Sequence, residues 1–409
     1  MQKTPKSLRL HIGIFGKRNA GKSSILNSLT GQSSSIVSSY AGTTTDPVEK
    51  PMELLPIGPV LFIDTAGIDD IGALGGKRIE RTRQVIKRTD LAVIVIEPGN
   101  LTEFELDLIE EFNCLSVPFI LAVNKTDTKN IYDSSLETLR QKTSNIILCS
   151  AQTGDGITEL RKMLIKTAPP DFLESPAILS DLVGPGGIAV LVVPIDKEAP
   201  KGRLIMPQVQ SIRDLLDGDA SALVCKDREL LSTLDMLRDK PDLVVTDSQA
   251  FLKVAADTPL DVPMTSFSIL FARFKGDLVE MTKGAMEIEN LEPTDKIMVC
   301  ESCTHHPITD DIGTVKIPRW LHQFVGGKLQ IDHWRGHDWP DNLKEYKLII
   351  HCGGCMWNKR EMLSRIMTAR EAGVPITNYG LTIAYTLGIF ERSLKPFPSA
   401  WEVYNKYKN

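Results

Sequence analysis

The chain has 409 residues and a mass of 45.3 kDa, which is too long for one hydrophobic core and predicts two or three domains. Its 42% hydrophobic and 24% charged residues exclude a disordered chain, and a net charge of -5 without a Lys/Arg-rich block disfavours an obligate nucleic-acid binder. The first ten residues lack an apolar signal core, and no apolar run approaches the ~18 residues that span a bilayer, so we predict a cytoplasmic protein.

The first predicted elements form a phosphate-binding loop. An apolar strand at Leu10–Phe15 precedes Gly-Lys-Arg-Asn-Ala-Gly-Lys-Ser at 16–23, and a helix is predicted from Ser24. This is the GxxxxGK[ST] pattern in the strand–loop–helix context that it requires. Loop amides surround the phosphates, Lys22 reaches the β and γ oxygens, and the Ser23 hydroxyl binds magnesium. The predicted phosphate-site residues are Gly16, Lys17, Arg18, Asn19, Ala20, Gly21, Lys22, Ser23 and Ser24.

The next two segments have the features of GTPase switches. Gly42-Thr43-Thr44 lies in a Ser-rich loop that can order when Thr44 meets magnesium. A strand at Val60–Ile63 leads to Asp64-Thr65-Ala66-Gly67, where Asp64 can hold magnesium through water and the Gly67 amide can meet the γ-phosphate. The predicted catalytic residues are therefore Lys22, Thr44, Asp64 and Gly67, and Thr43 is predicted to bind the nucleotide.

Two positions depart from the Ras-like pattern. Ile68 stands where Ras-like enzymes carry the glutamine that orients the attacking water, so we predict slow intrinsic hydrolysis. Asn19 resembles the residue that binds potassium beside the phosphates in tRNA-modifying and Era-like GTPases, although an asparagine that only caps the loop is the alternative. Potassium there would stabilise transition-state charge, so hydrolysis should be faster in potassium than in sodium salt.

The guanine-reading elements follow in order. A strand at Phe119–Val123 leads to Asn124-Lys125-Thr126-Asp127, which resembles the NKxD element of translation-factor-related GTPases. The Asp127 carboxylate can accept protons from guanine N1 and the 2-amino group, a pattern that adenine does not offer. After a strand at 146–149, Ser150-Ala151 resembles the remaining base-contact loop. The predicted guanine-site residues are Asn124, Lys125, Asp127, Ser150 and Ala151.

The middle segment reads as a second α/β unit behind a proline-containing linker at 168–170. Strand patterns at 187–195, 222–225, 243–246 and from Met264 alternate with helical patterns at 208–216, 227–237 and 249–256. This alternation predicts a parallel sheet with right-handed crossovers. Because no nucleotide fingerprint or catalytic cluster appears between Ser175 and Asp277, we predict that this module serves self-association.

The last segment carries two short Cys/His clusters. A strand at Ile297–Cys300 runs towards Cys303-Thr304-His305, and a strand at Leu348–Ile350 runs into His351-Cys352-Gly353-Gly354-Cys355. Ligands bind at the carboxyl ends of strands in open α/β sheets, so these clusters are expected to meet. We therefore predict an α/β chain of three domains, with a P-loop GTPase domain at 1–170, a dimerisation domain at 175–268 and a cluster-binding domain at 269–409.

The cysteine ligands are compatible with more than one kind of metal centre. Soft thiolates select iron–sulfur clusters, zinc or copper(I), and three of them suit a 4Fe-4S cluster whose fourth iron exchanges its ligand. His305 and His351 are either ligands or donors behind the ligands, and Asp196 is a candidate fourth ligand. Cys300-x-x-Cys303 with Cys352-x-x-Cys355 also fits four-cysteine zinc, but Cys300 is expected to point into the sheet. A site without metal is the remaining alternative.

The spacing Cys303-x-His305, 45 residues, His351-Cys352-x-x-Cys355 behind a TrmE/Era-like domain resembles the FeFe-hydrogenase maturation GTPase family, HydF, over essentially the whole chain. The resemblance implies a scaffold that holds a 4Fe-4S cluster through the three cysteines, with both histidines nearby. It also implies a diiron precursor bearing carbon monoxide, cyanide and a dithiolate, which radical-SAM maturases supply and the protein transfers to immature hydrogenase. The middle segment would form a homodimer or larger assembly.

Two rival functions come from other classes. A tRNA-modification or ribosome-assembly GTPase should carry a basic RNA-binding domain, which the acidic balance and the Cys/His clusters disfavour. A zinc-stabilised GTPase would use the cysteines only for structure. The metal content of anaerobically purified protein separates these functions from the cluster carrier.

Overall fold

The structure is a computed structural model that describes residues 5–30, 47–65, 82–99, 101–129, 132–172, 176–195, 204–302, 311–340 and 342–408. The chain divides into two compact units, Met1–Ser175 and Pro176–Asn409. Both units contain mainly parallel sheets with crossover helices, which confirms the predicted α/β class. Within the described ranges, no helix has the length and apolar character needed to span a bilayer.

The first unit is built on a six-stranded sheet of order β2-β3-β1-β4-β5-β6, in which only β2 runs antiparallel to its neighbour. Apolar clusters cover both faces of the sheet, so β1, β4 and β5 are buried at every position and, apart from His11, consist of apolar residues and glycine. The strands are β1 Leu10–Phe15, β2 Val48–Leu54, β3 Gly58–Asp64, β4 Leu91–Ile96, β5 Phe119–Val123 and β6 Ile146–Leu148. Its helices include α1 Lys22–Thr30, α2 Glu103–Cys114, α3 Asp133–Arg140 and α4 Ile157–Thr167.

Strand β2 has no clear strand signal in the sequence. It alternates charged and apolar residues, and Pro51 pairs with Leu61 of β3. Proline cannot donate a hydrogen bond, so it is tolerated in a strand at the edge of a sheet. This edge position accounts for the composition of β2.

The second unit contains two four-stranded parallel sheets. The middle sheet has the order β10-β9-β7-β8, and the last sheet has the order β12-β11-β13-β14. The strands of the middle sheet are β7 Ile188–Val192, β8 Ser221–Cys225, β9 Leu243–Thr246 and β10 Met264–Ser266. Those of the last sheet are β11 Lys296–Glu301, β12 Gln330–Arg335, β13 Leu348–His351 and β14 Ile376–Asn378. The parallel middle sheet predicted from the alternation of elements is confirmed.

One hydrophobic core joins the two sheets of the second unit. Helix Phe267–Lys275 lies in this core, and the predicted boundary at residue 268 falls within it. The three-domain division therefore stays a prediction. The helices are α5 Ser180–Val183, α6 Met206–Asp217, α7 Leu230–Asp235, α8 Phe251–Asp257, α9 Phe267–Lys275, α10 Leu278–Met286, α11 Ile317–Val325, α12 Lys359–Glu371, α13 Tyr379–Thr386, α14 Phe390–Leu394 and α15 Pro398–Lys408.

Candidate functional site

The phosphate loop lies at the carboxyl end of β1, between β1 and α1. Gly16 has a φ of 139°, and a Cβ there would lie 2.2 Å from the carbonyl oxygen of Val95, so no larger residue fits. The Lys22 ammonium donates to the carbonyl oxygens of Gly16 and Lys17 at 2.7 Å. Asn19 adopts a left-handed φ of 63°, which asparagine tolerates better than most residues. Its side chain and those of Arg18, Ser23 and Ser24 are exposed.

Ser23 and Asp64 form a candidate magnesium site beside this loop. The Ser23 hydroxyl donates to Oδ2 of Asp64 at 2.6 Å. Burial raises the pKa of Asp64, and the hydrogen bond from Ser23 opposes this shift. Oδ1 of Asp64 is buried without a partner among the described residues, and oxygen ligands of this kind suit a magnesium ion and its waters. The predicted switch residues Thr43, Thr44 and Gly67 lie outside the described residues.

The buried side chain of Asn124 connects the phosphate loop to the base-contact loop. Its Nδ2 donates to the Ala20 carbonyl at 2.8 Å, and its Oδ1 accepts from the Ala151 amide at 2.9 Å. In the same region Gly21, with a φ of 95°, approaches Asn124 so closely that a Cβ would lie 2.1 Å from Nδ2. Asn124 therefore fixes the relative position of the two loops.

The carboxylate of Asp127, which the sequence predicts to read guanine, is exposed. Lys125 has a φ of 66° and pairs with Glu97 at 2.6 Å, and Lys129 pairs with the same carboxylate at 2.6 Å. Sequence reasoning missed Glu97 because it follows β4 and belongs to no nucleotide motif. Ser150 accepts a hydrogen bond from the Thr153 amide at 3.2 Å, which closes the base-contact loop.

The cysteine site lies at the switch point of the last sheet. The chain leaves β11 for β12 on one side, whereas β13 pairs with the opposite side of β11, and open α/β sheets bind ligands at such a crevice. Ser302 follows β11 and donates its amide proton to Sγ of Cys352 at 3.1 Å, and its Oγ lies 3.2 Å from the same sulfur. The two strand ends that carry the Cys/His clusters are therefore adjacent.

The Cys-Gly-Gly-Cys loop is held from beneath by Lys275 at the end of α9. The Lys275 ammonium donates to the carbonyl oxygens of Gly354 at 3.2 Å, Cys355 at 3.1 Å and Trp357 at 2.8 Å. Burial lowers the pKa of Lys275 to about 8, while the sulfurs of Cys355 and Cys352 act in the opposite direction. Burial and Cys352 raise the pKa of Cys355, and Lys275 opposes that shift. Both sulfurs belong to half-buried residues.

His351 is fully buried and fixes the beginning of the loop. Its Nδ1 lies 2.8 Å from the Cys352 carbonyl oxygen, and its Nε2 lies 3.3 Å from Nη1 of Arg365. Burial, followed by the charge of Arg365, lowers the pKa of His351 to about 3, so the ring is neutral, donates at Nδ1 and accepts at Nε2. Both ring nitrogens are thus engaged by protein atoms, which favours the supporting role over direct ligation.

Cys300 lies inside β11, where its carbonyl oxygen accepts from the Cys352 amide at 2.9 Å while its thiol is enclosed by the core. It is 0% exposed, and burial raises its pKa to about 12. A neutral core thiol is a poor metal ligand, which disfavours the four-cysteine zinc alternative. Within the described ranges, no three Cys, His, Asp or Glu side chains are grouped as a metal site. The predicted ligands Cys303, His305 and Asp196 lie outside those ranges.

The two glycines of the loop should respond differently to replacement. Gly354 has a φ of 60°, and a Cβ there would lie 2.4 Å from Cε of Met362, whereas a Cβ on Gly353 meets nothing nearer than 3.8 Å. We expect Gly354→Ala to lower the free energy of unfolding by about 1–2 kcal/mol. The matched variant Gly353→Ala should stay within about 0.5 kcal/mol of wild type.

Urea unfolding of the metal-free protein, followed by tryptophan fluorescence, measures this difference. All 5 tryptophans lie beyond residue 176, so the signal reports the second unit alone. Equal destabilisation by the two variants would contradict the left-handed conformation at Gly354.

Comparison with known families identifies the second unit. The model of the hydrogen maturase F dimerization domain matches residues 178–276, and the model of the hydrogen maturase F tetramerization domain matches residues 279–396. The chain belongs to the hydrogen maturase F family. The model of the 50S ribosome-binding GTPase matches residues 11–125, in agreement with the P-loop geometry of the first unit.

Other relatives match mainly the GTPase part. The tRNA modification GTPase MnmE of Endomicrobium trichonymphae is 34% identical over 41% of this chain and 37% of its own length. GTPase Der of Wolinella succinogenes is also 34% identical, over the same shares of the two chains. The chain thus spans little more than a third of these curated relatives. A crystal structure of Aquifex aeolicus Era aligns with a TM-score of 0.35 and 19% identity, covering 61% of this chain and 99% of that one.

Proposed function

We propose that this member of the hydrogen maturase F family is a GTP-binding and GTP-hydrolysing scaffold and carrier. It holds a 4Fe-4S cluster, receives a diiron precursor as cargo, and delivers it to immature FeFe-hydrogenase. The observation that carries the proposal is the half-buried pair Cys352 and Cys355 at the switch point of a sheet, next to the strand end that precedes Cys303. Membership of the hydrogen maturase F family supports this cargo over others.

The donor set fits an iron–sulfur cluster. Cys303, Cys352 and Cys355 would hold it, and an iron without a cysteine would supply an exchangeable position at which cargo can attach. The chain's own residues prepare the site: Ser302 donates to the Cys352 sulfur, and Lys275 fixes the loop carbonyls. His305 and Asp196 remain candidate fourth ligands beside water or the cargo itself, and His351 acts behind the ligands.

GTP and magnesium would bind at the phosphate loop through Lys22, Ser23 and Asp64, with guanine read by Asp127. GTP and GDP would favour different conformations of the switch segments, and those conformations would differ in how they contact partner proteins. A ligand shifts such an equilibrium only as far as its affinities for the two conformations differ. Slow intrinsic hydrolysis and potassium activation at Asn19 belong to the same proposal. Equal hydrolysis rates in potassium and sodium salts would remove the potassium part.

The partners proposed for the chain are a second copy of itself, radical-SAM maturases and immature hydrogenase. Self-association is supported by the dimerization and tetramerization matches. It is also supported by exposed apolar side chains on and near edge strand β8, where Val224 is 44% and Leu231 is 55% exposed. An unpaired strand edge with apolar neighbours is a surface that a second copy can cover.

Anaerobic purification followed by metal analysis tests the proposal. We expect a brown protein with thiolate-to-iron absorption, with iron as the main metal, that activates an immature FeFe-hydrogenase once loaded with diiron precursor. Stoichiometric zinc with no iron would favour the structural zinc alternative. Copurified RNA without iron would favour the tRNA-modification or ribosome-assembly function.

A further inference from the structure

Two cationic side chains are buried around the Cys-Gly-Gly-Cys loop. Lys275 is 1% exposed and Arg365 is 7% exposed. Lys275 donates to the loop carbonyls, and Arg365 donates to the Gly336 carbonyl at 2.8 Å while its guanidinium lies 4.1 Å from the ring centre of Trp357. Among the residues that the structure describes, neither cation has a carboxylate within ion-pair distance.

Burying these two cations lowers the stability of the fold unless negative charge enters the site. Transfer of a cation from water into the protein interior is strongly unfavourable, and dipoles of carbonyls and aromatic rings offset only part of that cost. The Lys275 ammonium donates to the carbonyl oxygen of Cys355 at 3.1 Å. The structure therefore places a buried cation directly beside the loop that carries the two candidate cysteine ligands.

We propose that Lys275 is a positioning residue for the metal centre, which holds the Cys-Gly-Gly-Cys loop in its binding conformation and whose positive charge favours the reduced form of the bound cluster. This inference rests on the proposed cluster-binding function. It assigns a role to a residue that lies 77 positions before Cys352 and belongs to neither Cys/His cluster.

The location of Lys275 explains both parts of this role. It is the last residue of α9, a helix anchored in the core of the second unit, so its ammonium is held in place while it donates to three backbone carbonyls of the loop. A cation near a redox centre stabilises the state with one more electron, and the effect is large where water is excluded. Removal of the charge should lower the reduction potential.

The reduction potential of the iron-loaded protein tests whether the positive charge of Lys275 favours the reduced form of the cluster. We compare Lys275→Met, which has similar length but neither charge nor donors, with the charge-conserving Lys275→Arg. Lys283→Met on the exposed face of α10 is the matched control. We expect Lys275→Met to disfavour reduction about tenfold, or about 59 mV for one electron, with Lys275→Arg and Lys283→Met within about twofold of wild type. A Lys275→Met protein that keeps its iron and stays within twofold of wild type would overturn the proposal.

The metal-free protein provides a second measurement that does not depend on the cluster. Hydrogen exchange of the loop peptide at 352–358 reports the loop conformation, and we expect it to be at least about tenfold faster in Lys275→Met, which cannot donate to the three carbonyls, than in Lys283→Met. An unchanged rate would contradict the positioning role. If Lys275→Met does not fold, Lys275→Gln replaces it in the potential measurement with the same threshold, since its amide can still donate to the loop. Wild-type protein that binds no iron would remove the proposed function, while the exchange rates would still decide the positioning role of Lys275.

Discussion

Replacement of Asp127 by asparagine is expected to shift the nucleotide preference of the chain from GTP to XTP. The exposed Asp127 carboxylate is proposed to accept hydrogen bonds from N1–H and the 2-amino group of guanine, whereas an asparagine amide would bring a donor group to that edge. Hydrogen bonds to charged groups contribute about 1.5–3 kcal/mol each, so GTP affinity should fall about 10- to 100-fold. Xanthine carries an oxygen at C2, which the new amide can meet as a donor.

Isothermal titration with GTP and XTP in magnesium buffer measures this exchange. Asp133→Asn is the matched control, because Asp133 is also exposed and lies in the first turn of α3, away from the base-contact loop. It should bind GTP as the wild type does. If Asp127→Asn kept wild-type GTP affinity, Asp127 would not read the base and the guanine assignment would have to move elsewhere.

Local patterns in the sequence were sufficient to predict the strands and loops on which the nucleotide site is proposed. Strand β1 and strand β5 have the bounds that their apolar runs predict, and the residues that follow them form the loops that carry the predicted phosphate and guanine residues. This succeeds because a buried parallel strand must be apolar on both faces, and because its loop occupies the carboxyl end of the sheet by topology. Glu97 was missed because its salt bridges join residues 28 and 32 positions apart.

The cysteine site was only partly predictable. The sequence indicates that Cys300 lies within a strand and that Cys352 follows one, and the structure shows the first fully buried and the second at the strand end beside Ser302. Strand β12 was missed because it lies at an edge and is polar, with half-buried and exposed residues and none that is fully buried. Lys275 carries no local signal at all: a lysine at a helix end is usually solvated, and only tertiary packing buries it.

The residues that support the cysteine loop were not predicted because they come from distant parts of the sequence. Thiolates and backbone carbonyls at the loop need compensating donors and charge, and the fold supplies them from helices α9 and α12, which lie far from the motif in sequence. His351 shows the same dependence, because its sequence position suggests a ligand while the hydrogen bond from Arg365 occupies its second nitrogen. Tautomer and orientation of a histidine follow from such partners.

Single replacement of Cys303, Cys352 or Cys355 by serine is expected to abolish iron binding while GTP hydrolysis is kept. Serine is a hard, weakly acidic ligand that replaces a soft thiolate, so each variant should lose at least about tenfold in bound iron. The nucleotide site belongs to the other compact unit, so hydrolysis rates should remain within about twofold of wild type. Hydrogenase activation should disappear together with the iron.

Two control variants make this measurement decisive. Cys114→Ser removes an exposed thiol of α2 in the GTPase unit, and Cys300→Ala removes the thiol inside β11. Both should retain iron, although Cys300→Ala is expected to lose about 1 kcal/mol of stability from the small cavity. If Cys300→Ala instead lost its metal as completely as Cys352→Ser, four cysteines would share one ion, and structural zinc would replace the three-cysteine cluster. The buried, neutral thiol of Cys300 is the reason to expect the opposite.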